Sequence, residues 1–116
     1  MTARPLSEEQ IHRAVAEHLD RRSRRDVAWF HAANGERRDK AAAGRLKAMG
    51  VKAGIPDLCV IVSGRPLFLE LKTERGRLSP AQQQCHAGLR AAGAVVEVAF
   101  GLDDAVSRLT AWGVFR

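Results

Sequence analysis

Two apolar runs on either side of a short polar break, Asp57 to Val62 and Pro66 to Thr73, constrain the fold of this chain more than any other feature. Both contain β-branched residues, and Ser63-Gly64-Arg65 between them predicts a β-hairpin. With Ser63 and Gly64 as a two-residue turn, Val62 faces Arg65, and counting outward sets Asp57 opposite Glu70. Side chains alternate along a strand, so Glu70 and Lys72 share one face with Phe68, Cys59 and Ile61. The other face is Leu58, Val60, Val62, Leu67, Leu69 and Leu71. Both faces are largely apolar, which predicts a central hairpin covered on each side.

The rest of the chain supplies the cover. Ser7 is a plausible N-cap for a helix to about Arg22, with Glu8 and Glu9 in its first turn. Val27 to His31 reads as a short strand ended by Asn34-Gly35, and Asp39 to Met49 as a helix stopped by Gly50. Ser79-Pro80 opens a helix that Gly93 closes, with proline at the first helical position. Ala94 to Phe100 is a strand and Asp103 to Trp112 a last helix. The order is α-β-α-β-β-α-β-α, an α/β unit without repeat or linker. With 116 residues it is expected to form a single domain over 1–116.

No apolar run approaches the roughly 20 residues needed to span a bilayer, and the first residues lack the apolar core of a signal peptide. The expected location is cytoplasmic, with no membrane partner. Cys59 and Cys85 lie far apart without a CxxC pair, so free thiols are expected. Trp29 and Trp112 are expected to anchor packing.

The 19 Lys and Arg against 13 Asp and Glu give a net charge of +6, which favours a polyanionic partner. The basic residues cluster at Arg21 to Arg25, then at Arg37, Arg38, Lys40, Arg45, Lys47 and Lys52, and again at Lys72, Arg75 and Arg77. Any one cluster is as readily a solvated helix end. Three in one short chain point to nucleic acid, with phosphate contacts supplying affinity. Tyrosine is absent and aromatics total 5%, so a stacking platform for single-stranded bases is not indicated.

Facing carboxylates with Cβ atoms about 5 Å apart repel unless a cation lies between them. A divalent metal at Asp57 and Glu70 resolves the conflict, and oxygen ligands beside a nucleic acid favour Mg²⁺ or Mn²⁺ over zinc. Lys72, on the same face, can orient a water or stabilise developing negative charge. The chemistry this predicts is phosphodiester hydrolysis. An ExK pair alone reads as an exposed polar edge, and Asp57 at the facing position, in a strand otherwise without charge, reverses that reading. At 100° per residue Glu8, Ile11, Val15 and Leu19 fall within an arc of about 80°, so Glu8 shares the helix face turned to the sheet, whereas Glu9 lies beside it. Glu8 is thus either a third acidic group or a complement to the helix N-terminus.

Together, "GIPDL", "FLELKTERGRLSPAQ", the acidic residue of the leading helix and "HAANGERR" resemble the VRR-NUC nucleases, a branch of the PD-(D/E)XK superfamily. The resemblance runs from Glu8 through the helix after Ser79. It implies a restriction-endonuclease-like core, a mixed sheet flanked by helices. It also implies Asp57 and Glu70 as metal ligands with the backbone carbonyl of Leu71 as a third, Lys72 as the catalytic lysine, Glu8 as the helix-borne acid and Gln82 near the site. Gln82 also fits a capping box with Ser79. Members often carry proline before the asparagine of the "NG" segment, where this chain has Ala33. Asn34 is either a turn residue, as asparagine before glycine usually is, or a contact to DNA or the metal-bound water. His31 reads as a half-buried strand residue, and His12 as a weaker candidate still.

The resemblance implies DNA as substrate. A lone domain of this size has little surface for reading sequence, so selection of branched DNA by shape is expected over base-specific cutting. By analogy a four-way (Holliday) junction, with two equivalent strands, would match a symmetric homodimer. Asn34, Arg37, Arg38, Lys40, Arg45, Lys52, Arg75 and Arg77 are the DNA-contact candidates. Two alternatives are a basic DNA-binding module that keeps the fold but does not cut, and a nuclease active only when a partner recruits it.

Overall fold

The computed structural model describes residues 4–32 and 40–116. Asn34, Arg37 and Arg38, the Asn34-Gly35 turn and the expected start of the second helix at Asp39 lie outside the described residues. The elements follow the expected order: α1 (Glu8–Arg22), β1 (Val27–His31), α2 (Lys40–Ala48), β2 (Leu58–Val62), β3 (Arg65–Lys72), α3 (Pro80–Ala91), β4 (Val95–Phe100) and α4 (Leu102–Ala111).

The hairpin forms around a turn in which Ser63 (φ 52°) and Gly64 (φ 77°) both have positive φ, the conformation of a two-residue turn that follows the twist of the strands. Val62 pairs with Arg65 and Leu58 with Leu69, so the register is the one expected by counting. The sheet runs β1-β2-β3-β4. β1 and β2 are antiparallel, as are β2 and β3, while β4 is parallel to β3 and is reached by the crossover through α3.

Each face of the hairpin is covered by helix. On one, Leu58, Val60, Leu69 and Leu71 join Ile11, Val15 and Leu19 of α1 and Ala105 and Leu109 of α4 in the main core. Burying a Leu, Ile or Val side chain is worth roughly 1.5–3 kcal/mol each, so this cluster fixes α1 and α4 side by side on that face of the sheet. Trp29 and Trp112 pack against its edge. On the other face α3 lies over Glu70, and its buried residue is a histidine, His86. Cys59 is buried, Cys85 is half-buried, and both are free thiols. No helix among the described residues is long and apolar enough to cross a membrane.

Candidate active site

Asp57 sits one residue before β2, and its placement depends on the glycine of the "GIPD" segment. Gly54 has φ +80°, and a Cβ there would lie 2.3 Å from the Ala81 carbonyl oxygen. Only glycine lets this loop run against the first turn of α3. Pro56 is fully buried behind it. Asp57 is then fixed from two sides: its carbonyl accepts from Ala32 N at 2.8 Å, and its Oδ2 accepts from the Leu71 backbone amide at 2.7 Å. The strand that carries Glu70 therefore also orients Asp57.

Glu70 is 1% exposed. Gln82 Nε2 donates to its Oε2 at 3.4 Å, and Lys72 Nζ lies 3.9 Å from the same oxygen. Its Oε1 faces His86 Nε2 at 3.5 Å and has no hydrogen-bond partner among the described residues. Burial pushes the Glu70 carboxyl up to about 9, with a hydrogen bond to Asp57 and the charge of Asp57 adding to the rise and Lys72 opposing it. The carboxylate conflict expected from the hairpin is thus real, and without a metal a proton relieves it. The strand pattern alone points to a cation and not to this proton.

Glu8 completes the acidic group. Although its side chain is 53% exposed, one carboxylate oxygen each from Glu8, Asp57 and Glu70 lie within 4.8 Å of one another. Glu9 points away, 79% exposed and paired with Arg13 at 3.5 Å. The first turn of α1 thus meets the end of the sheet where β2 begins and β3 ends.

Gln82 fills both roles considered for it. Its Oε1 accepts from Ser79 N at 2.8 Å while its backbone amide donates to Ser79 Oγ at 3.1 Å, a full capping box. The free Nε2 reaches Glu70. The Lys72 carbonyl accepts from Gly101 N at 2.8 Å, which ties the end of β3 to the start of α4.

Two residues at the site escaped the sequence argument, His86 altogether and His12 as a dismissed candidate. His12 Nε2 is 3.5 Å from Asp57 Oδ2 and 4.0 Å from Glu8 Oε1. Each follows a named site residue by four positions on a helix, Gln82 before His86 and Glu8 before His12, and that spacing puts side chains on one face. Of the basic candidates, Lys40, Arg45, Lys52, Arg75 and Arg77 are exposed.

An all-oxygen donor set with one buried, unpartnered carboxylate oxygen suits a hard divalent cation. The VRR-NUC domain family model matches residues 6–102 of the chain. A solved structure described as a VRR_NUC domain protein is 25% identical, with a TM-score of 0.76, covering 95% of this chain and 90% of its own. A second, described as a VRR_NUC domain, is 22% identical with a TM-score of 0.61, covering 90% of this chain and 94% of its own, and is similar in fold. No curated protein matches the chain significantly.

Proposed function

The chain belongs to the VRR-NUC domain family, a nuclease fold that processes DNA, and we propose that it is a metal-dependent DNA endonuclease that hydrolyses phosphodiester bonds, selecting branched DNA. One observation supports this reading above the others: carboxylate oxygens of Glu8, Asp57 and Glu70 converge within 4.8 Å beside the Lys72 ammonium.

In this reading Asp57, Glu70, the Leu71 carbonyl and Glu8 hold Mg²⁺ or Mn²⁺. When bound, such an ion polarises a phosphoryl oxygen and makes water a better nucleophile at neutral pH. The chain's own groups do the rest. The Leu71 amide holds Asp57 in place, and the Gln82 amide holds Glu70, so neither carboxylate needs to reorganise as the substrate arrives. Lys72, buried beside Glu70, orients the attacking water and offsets negative charge developing on the phosphate. Lys40, Arg45, Lys52, Arg75 and Arg77 contact the DNA backbone, with Asn34, Arg37 and Arg38 extending that surface. Two copies of the chain, one per scissile strand, match the symmetry of a four-way junction.

The test is cleavage of a labelled immobile four-way junction, a matching linear duplex and a splayed flap, in Mg²⁺, Mn²⁺ and EDTA, with Lys72→Ala as control. Paired junction cuts that need both metal and Lys72 are expected. Tight, salt-sensitive binding without cutting would instead favour a binding module or an enzyme awaiting a partner.

A further inference from the structure

We propose that His12, His31 and Asp57 form a second metal site, suited to a transition-metal ion and sharing Asp57 with the carboxylate site. One ligand atom from each of the three lies within 4.8 Å of the other two. His12 Nε2 stands 3.5 Å from Asp57 Oδ2, and the His12 and His31 rings are 5.0 Å apart between centroids, tilted by 43°.

The convergence comes from three separate pieces of chain. α1 supplies His12, one turn after Glu8, and His31 ends β1, paired with Leu58 of β2. Asp57 precedes that pair, and Ala32 N donates to its carbonyl. The ladder and this bond therefore hold His31 and Asp57 side by side. The Leu71 amide orients the Asp57 carboxylate, as outer partners orient the ligands of metal centres. His12 is half-buried over this pair, while His31 is exposed and keeps one side of the group open to solvent.

Donor chemistry separates this group from its neighbour. Glu8, Asp57 and Glu70 offer oxygen alone, the set for hard cations. Two imidazoles and one carboxylate suit Zn²⁺ and its first-row relatives, and three ligands leave positions open for water or substrate. The two oxygens of Asp57 let one carboxylate serve both groups, so an ion on the histidines would stand next to one on the carboxylates. The proposal goes beyond the nuclease reading and does not require it.

The test uses the full chain and two ions, Zn²⁺ measured by competition with a chromophoric chelator and Co²⁺ followed by its visible absorption. Excess Mg²⁺ is kept present throughout to compete for the all-oxygen group. One Zn²⁺ per chain is expected, weakened about 10- to 100-fold or more by His12→Ala or His31→Ala. The Co²⁺ bands of the unaltered chain are expected to disappear in both histidine variants and to survive in Glu70→Gln. Equal Zn²⁺ affinity in the His12→Ala, His31→Ala double variant would overturn the proposal, as would no Zn²⁺ uptake by the unaltered chain. Thermal melts check folding. Should His12→Ala fail to fold, the exposed His31 carries the test alone. Junction cutting in Mg²⁺ is scored separately, so loss of the nuclease reading and loss of this site are distinct results.

Discussion

The Glu70 carboxylate and the His86 imidazole meet at 3.5 Å between Oε1 and Nε2, at 1% and 0% side-chain exposure, without forming an ion pair. Burial, reinforced by Arg90, holds His86 below the usual imidazole range, while burial pushes Glu70 up to about 9. In the metal-free protein at neutral pH both groups are therefore uncharged. Folded Glu70 holds its proton more tightly than an unfolded glutamate, whose usual value is 4.5. That contribution to stability is complete below the unfolded value and is lost as the pH rises through the folded one. In EDTA the urea midpoint is thus expected to fall as the pH rises from about 7 to about 9, above the range in which His86, whose lowered value acts with the opposite sign, titrates, and Glu70→Gln to flatten the decline. An unchanged pH slope in Glu70→Gln would assign the effect to another group.

Gly54 and Gly64 both have positive φ, but only Gly54 has backbone in the way of a side chain. A Cβ at Gly64 meets nothing within 4 Å, whereas at Gly54 it meets the Ala81 carbonyl oxygen at 2.3 Å. Gly64→Ala carries the left-handed strain alone, roughly 1–2 kcal/mol. Gly54→Ala must also move the loop off α3 and with it Asp57, so a larger loss of stability and a loss of cutting are expected. Urea unfolding and junction cleavage of both variants make the comparison. Equal costs would mean that the contact with α3 relaxes freely.

Gln82 joins a helix cap to the site, and two substitutions separate the roles. Gln82→Ala removes both, with an expected cost of about 0.5–1.5 kcal/mol from the lost bond to Ser79 N together with weaker metal-dependent cutting. Gln82→Glu keeps an acceptor for Ser79 N but replaces the donor to Glu70 with a carboxylate. It is expected to keep most of the stability at neutral pH and still lose activity. Full activity in Gln82→Glu would leave Gln82 as a cap only.

What was legible in the sequence followed from short-range rules. A two-residue turn at Ser63 and Gly64 fixes the hairpin register, and from it Asp57 is placed opposite Glu70 without any tertiary information. The helical period likewise distinguishes Glu8 from Glu9. His86 and His12 were not legible in the same way, because their partners Glu70 and Asp57 belong to other elements that only packing brings near. The proton on Glu70 is not legible for a related reason. Facing carboxylates announce a conflict, but how it is relieved depends on burial, which the strand pattern does not quantify.

Glu8 and Glu9 are neighbours in sequence with opposite surroundings. Glu8 joins Asp57 and Glu70, whereas Glu9 pairs with Arg13 in solvent, where an ion pair is worth little. Glu8→Gln is expected to reduce metal-dependent cutting about tenfold or more, and Glu9→Gln to leave it unchanged. The reverse result would put the first turn of α1 out of phase with the site.

Salt dependence of DNA binding follows from where the positive charge stands. Part of the first basic cluster is neutralised locally, Arg21 by Glu17 at 2.9 Å and Arg24 by Asp26 at 3.1 Å. Lys40, Arg45, Lys52, Arg75 and Arg77 are exposed instead on α2 and on the segments flanking the carboxylates. If these five meet phosphates, they contribute about −4.5 to the slope of log binding constant against log salt for duplex arms, about −0.9 for each contact. Lys72→Ala keeps the DNA intact while this is measured. Replacing Arg75 or Lys52 with alanine should make the slope shallower by about 0.9 each, and Arg24→Ala should leave it unchanged. A slope that ignores Arg75 and Lys52 but responds to Arg24 would move the DNA to the far end of α1, away from Asp57 and Glu70, and the carboxylate group would then lie outside the bound strand.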